Sequence, residues 1–101
     1  METEFITVGK KNAITVAHGP LYDAGLESDK YFNILKNKKG TTLLIIPFGT
    51  KYDENKFDLA LQTNRALFEP LTFNGDVLNT KAGDQLKLEI GDFEIFVTKE
   101  K

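Results

Sequence analysis

The chain holds one histidine, His18, one serine, Ser28, one arginine, Arg65, and no cysteine. Those few groups bound any covalent or metal chemistry. A histidine-based metal site needs two or three imidazoles, or an imidazole and a thiolate, converging on one ion. Here one imidazole stands alone, so no metal site and no cofactor is expected. A serine triad would have to combine Ser28 with His18 and Asp23 or Asp29, all close together in sequence. No G-x-S-x-G elbow exists to raise the nucleophile. A threonine nucleophile requires its own free amine, and residue 1 is methionine. The expectation is a protein without enzymatic activity. His18 follows the run Ala13 to Ala17 and precedes Gly19-Pro20. It reads as the exposed end of a strand beside a turn, with a ligand contact or a pH-sensitive interface as the functional alternative.

The carboxylates give equally plain readings. Asp76, Asp84 and Asp92 each follow a glycine, and turn aspartates bond their local backbone. In "YDENKFD", residues 52–58, Asp53 and Asn55 alternate as in a calcium loop. The sixth-position glycine and twelfth-position glutamate of such a loop are missing. Neither a Walker loop nor a dinucleotide fingerprint occurs.

Net charge is −2, which argues against capture of a phosphate backbone by electrostatics. Lysines do cluster at 10–11 and at 36–39. Placed at one end of a barrel near Tyr31 and Phe32, they would form an OB-like surface for single-stranded nucleic acid. The competing reading is lysine-rich loop tips that are solvated and guard sheet edges.

These groups must be held by strands, because the recurring period is two. Residues 4–8 and 13–17 are β-rich and flank Gly9-Lys10-Lys11-Asn12, a hairpin loop by composition. In "QLKLEIGDFEIFVTK", residues 85–99, a Gly91-Asp92 turn would pair Ile90 with Phe93, Leu88 with Ile95 and Leu86 with Val97. All six side chains would then share one face. The same register sets Glu89 against Glu94, a like-charge conflict. "NKFDLALQT" alternates, with Phe57, Leu59, Leu61 and Thr63 on one side. Residues 67–73 read as a strand weakened by Pro70, and Asn74-Gly75 as a turn. Segment 29–38 fits either a short helix capped by Ser28 or a strand closed by a turn with Gly40. The strand is preferred. Leu43, Leu44, Ile45 and Ile46 are apolar on both faces and belong in the middle of a sheet or under a partner.

The sum is a single all-β domain over residues 1–101. It has eight or nine short antiparallel strands, arranged as a β-sandwich or a small closed barrel. The expected function is a protein–protein interaction or structural assembly module that associates with itself or another protein. Phage or bacterial accessory proteins are the setting such a composition suits. Leu44 and Ile46 are the candidate interface. The alternative is a small-molecule barrel whose mouth is closed by loops 18–27 and 49–56, carrying His18, Tyr22, Tyr52 and Asp53. Met1-Glu2-Thr3-Glu4 lacks an apolar segment behind it, and the longest apolar run, residues 43–48, is far short of a membrane span. A cytoplasmic or virion-associated location and no membrane partner are therefore expected.

Overall fold

The computed structural model describes residues 2–100. Eight strands form: β1 (Glu2–Thr7), β2 (Ala13–Val16), β3 (Tyr31–Asn37), β4 (Thr42–Pro47), β5 (Phe57–Asn64), β6 (Leu71–Asn74), β7 (Gln85–Gly91) and β8 (Glu94–Lys99), with one helix, α1 (His18–Asp23). Six strands make an antiparallel sheet in the order β1-β7-β8-β4-β3-β5, and β2 pairs with β6 in a separate ribbon. The sheet is open, with β1 and β5 at its edges. The fold is thus all-β and sandwich-like, and the closed-barrel alternative is not formed.

The central position of β4 follows from its composition. Leu43 and Ile45 enter the main core with Phe32, Ile34, Leu86, Leu88 and Val97. Ile14, Val16, Leu71 and Phe73 of the ribbon and Leu21 of α1 cover that inner face. Leu44 and Ile46 point the other way and join Leu35 in a second cluster, under Tyr52, Phe57 and Phe96. Each large apolar side chain taken from water contributes roughly 1.5–3 kcal/mol, so a strand apolar on both faces is most stable where both are covered.

Segment 29–38 is strand, as preferred. The β3–β4 hairpin closes as the glycine-bulge turn requires: Gly40 has φ +73° and donates to the Asn37 carbonyl at 2.9 Å. The Asn37 side chain accepts from the Thr41 and Thr42 amides. The helix appears instead at 18–23, where a loop was expected. Pro20 is tolerated because the first-turn amides of a helix have no partner in any case. Gly25, at φ +77°, ends the helix in a Schellman motif: its amide donates to the Tyr22 carbonyl and that of Leu26 to the Leu21 carbonyl, at 2.9 and 2.8 Å.

Four other expectations are corrected. Residues 4–8 and 13–17 are not hairpin partners; a 3-10 turn at Lys10–Asn12 sends β1 to β7 and β2 to β6. The β7–β8 hairpin turns one residue later, at Asp92-Phe93, so Ile90 faces Ile95 and Leu88 faces Val97. This shift of two keeps the faces and sets Glu89 against Phe96, which removes the like-charge conflict. The cause is tertiary: the Phe93 amide donates to the Ala24 carbonyl at 2.8 Å, anchoring the tip beside α1. In β5 the pairing of Ile34 with Leu61 and of Leu35 with Leu59 leaves Ala60 as a bulge. The bulge reverses the alternation, so Leu61 packs on the main core while Phe57 joins the second cluster. Finally, residues 66–70 form a turn, with Phe68 at φ +66°, and only Leu71–Asn74 is strand.

At the foot of the ribbon, Asn74 caps a 3-10 turn by accepting from the Asp76 amide at 2.7 Å. Gly75 is buried there against the Thr80 hydroxyl, which donates to the Asn12 side chain at 2.8 Å. A Cβ on residue 75 would collide with Thr80 Oγ1 and Asn12 Oδ1. Gly75→Ala should therefore lower stability by roughly 1–3 kcal/mol, read as a shift of the urea midpoint at unchanged slope.

Nearby, the Lys81 amide donates to the Asp84 carboxylate at 3.0 Å, and Lys99 lies 3.3 Å from the same oxygen. The Lys81 amide, chiefly, holds Asp84 below the usual carboxylate range, with Lys99 helping it to outweigh the opposing effect of desolvation. Because the folded value is depressed, the unfolded chain binds the proton more readily. The stabilisation is full above the ordinary carboxylate value of about 4 and is lost as pH falls through the folded value. Asp84→Asn should flatten the fall in stability over that acidic window and leave the slope above it unchanged, as measured by thermal melts across pH.

Candidate interaction surface

The strand registers sort the loops to two ends of the sheet. At one end lie the start of β3, the end of β4, the end of β5 and the β7–β8 tip. At the other lie the β3–β4 turn, the start of β7 and the end of β8, with the turn at 9–12 tied in by hydrogen bonds of Val8 to Gly83 and Asp84. The two ends differ in chemistry.

Exposed aromatic and aliphatic side chains gather at the first end. Tyr22, Tyr31, Phe48, Leu67, Phe68 and Phe93 all lie there and are 42–66% exposed. Tyr31 and Phe48 face each other across a shallow apolar groove, and the Phe48 amide donates to the Tyr31 carbonyl at 3.0 Å. Ring centroids of Tyr22 and Phe68 lie 6.3 and 6.2 Å from that of His18. Phe93 sits at the hairpin tip with φ +61°, its ring against Gly25. Around these rings stand Asp23, Glu27, Asp29, Glu69, Asp92 and Glu94. A cleft of about 580 Å³ beside the tip is lined by Glu2, Asp23, Asp92 and Glu94 with Ile90 and Gly91.

Arg65 holds this end together. It is only 6% exposed. Its Nε donates to the Asp29 carbonyl at 2.9 Å. Nη1 donates to the Glu69 carbonyl and Nη2 to those of Leu26 and Glu27, each at 2.8 Å. The guanidinium carbon lies 5.8 Å from the centre of the Phe32 ring. One planar cation thus joins the loop after α1 to the loop after β5, using donors whose fork geometry lysine lacks. No carboxylate is ion-paired with it among the described residues.

The residues singled out from sequence fall in different places. His18 and Tyr22 are exposed on α1, over the inner face. Tyr52 is half-buried on the outer face, against Leu35, Leu44 and Ile46. The Asp53 carboxylate accepts from the Asn55 amide at 2.9 Å and shapes a turn. The six-stranded sheet lies between the two pairs, so loops 18–27 and 49–56 do not close a common mouth. Leu44 and Ile46 are 6% and 3% exposed. Their own chain covers them, so neither is presented to a partner. Lysines 10–11 and 36–39 do share one end, but Tyr31 is at the opposite end of β3 and Phe32 is fully buried. The OB-like pairing of lysine with stacking rings is therefore not formed.

The surface that does form was carried by a different signal: aromatics inside turn segments, at Phe48-Gly49, Phe68-Glu69-Pro70 and Asp92-Phe93. Arg65 had no sequence signal beyond being the sole arginine.

Arg65→Lys should cost about 2–4 kcal/mol, because most of the four carbonyls, one buried and three part-buried, lose their donor. Urea unfolding of the variant beside the parent chain measures this. The chain matches no family model, and no curated protein or solved structure is similar to it.

Proposed function

We propose that this protein is a non-catalytic protein-contact module that works through its aromatic end. The observation that carries the reading is the concentration of six large exposed apolar side chains at one end of the sheet. Scattered exposed apolar residues need no explanation, whereas a contiguous patch rimmed by polar groups marks a contact surface. Tyrosine and phenylalanine supply large contact area with few rotatable bonds, which suits them to such a role. The rim of carboxylates around Phe93 and Phe68 favours a partner with positive charge at its edge. Arg65 and the Schellman turn fix the loops before binding, so little ordering cost remains to be met on association.

The test is a triple substitution, Tyr31→Ser, Phe48→Ser and Phe68→Ser, all at exposed positions. The parent chain should hold a protein partner, itself or another, in sedimentation and in stoichiometric co-purification from its source cell. The variant should keep the parent's melting temperature to within a few degrees and lose that partner. A variant that retains the partner with unchanged affinity, or a parent chain with none by either measurement, overturns the reading.

A further inference from the structure

We infer that the partner is a second copy of this chain, bound head to tail, with the aromatic end of one copy on the lysine end of the next. This rests on the contact-module reading above and specifies its geometry.

The two ends are complementary in charge. The aromatic end carries the carboxylates already named, and its cations are Lys30, Lys51 just past Phe48, and the buried Arg65. The opposite end carries the lysines. There Lys38 pairs with Asp58 at 2.7 Å and Lys99 with Asp84 at 3.3 Å. Lys10, Lys11, Lys36, Lys39, Lys56 and Lys81 make no ion pair among the described residues. Asp53 and Glu54, in the turn that carries Lys56, and Asp76 and Glu100 are the carboxylates that offset them in part. Two oppositely charged ends on one small body attract each other between copies, and like ends repel. Where copies meet end to end, that favours a heterologous contact over a two-fold one, in which each end would meet its like.

Shape agrees with charge. Between the β3–β4 turn and the 3-10 turn after β6, the lysine end has a cleft of about 500 Å³. Gly40, Thr41, Leu78, Asn79 and Thr98 line it together with Lys99 and Glu100. It is the natural seat for a projecting ring such as Phe48 or Phe93 of the next copy. The strand edges are not needed for this contact. β1 turns Glu2 and Glu4 to the inner side of the sheet, and β5 is bulged; both devices discourage edge pairing. Repetition of a head-to-tail contact gives an open chain of copies, or a ring where the rotation closes.

Two charge-reversed variants test the geometry. The first, Asp23→Lys with Asp92→Lys, reverses the aromatic end. The second, Lys39→Glu with Lys81→Glu, reverses the lysine end. All four positions are exposed. The parent chain should associate in sedimentation velocity. Association should weaken markedly from about 0.1 M to about 1 M salt, as the screening length falls from about 10 Å to about 3 Å. Each variant alone, with the charge contrast between its ends removed, should bind itself about tenfold or more weakly than the parent. Mixed in equal amounts, the two should associate again, which also shows that both are folded. Association of either variant alone at parent strength, or no recovery on mixing, overturns the head-to-tail geometry while leaving a contact module intact. A parent chain that stays monomeric at low salt and high concentration overturns self-association itself. Capture of a different protein by that monomer would then preserve the contact reading alone.

Discussion

A buried guanidinium held by backbone carbonyls organises one end of this molecule. Taking a cation out of water is costly, and the cost is tolerable only if its donors are satisfied. Arg65 meets that condition without a paired carboxylate, by donating to Leu26, Glu27, Asp29 and Glu69. The carbonyl dipoles stand in for the counter-ion. The same bonds satisfy acceptors in two irregular loops that no strand could satisfy. The Arg65 amide itself donates to the Lys30 carbonyl at 2.9 Å, so backbone and side chain fasten the same pair of segments. Three of the exposed rings at that end flank this tie directly: Phe68 on one loop, Tyr31 just after the other, and Tyr22 on α1 before it.

The rest of the architecture follows from a strand with no polar face. β4 must be covered twice, and the chain does so with two unequal layers. The inner layer is the ribbon with α1. The outer is a patch where Tyr52 and Phe57 close over Leu35, Leu44 and Ile46. With both faces of the sheet's middle sealed by the chain itself, the exposed large apolar side chains lie mostly at one end, with Phe5 on β1 and Leu59 on β5 as the exceptions along the edges.

Much of this was legible in the sequence where the controlling forces are local. Alternation placed β7 and β8, the β character of the rest of the chain favoured a hairpin of β3 and β4, and Asn37 with Gly40 wrote the turn between them. The two-faced run at 43–46 announced a central strand. What could not be read was whatever depends on distant contacts. The β7–β8 tip follows a carbonyl on Ala24 rather than its own glycine. The bulge at Ala60 reverses a clean alternation, because Leu35 and Ile34 demand opposite faces from β5. Leu44 and Ile46 looked like an interface because composition shows that a strand needs cover but not which segment provides it. Arg65 bonds only to main-chain atoms, which every residue has, so no side-chain pattern could advertise it.

The placement of β1 beside β7 has a consequence for how the chain is made. Phe5 lies opposite Lys87 and Thr3 opposite Glu89, so about 80 residues must be synthesised between the first strand and its partner. At translation rates of about 5–20 residues per second, the first strand waits several seconds on the ribosome before its neighbour emerges. Contacts so far apart in sequence also slow the search for the native topology. The sheet is therefore completed only after β7 has emerged, and the inward-turned glutamates on β1 discourage that waiting strand from pairing elsewhere.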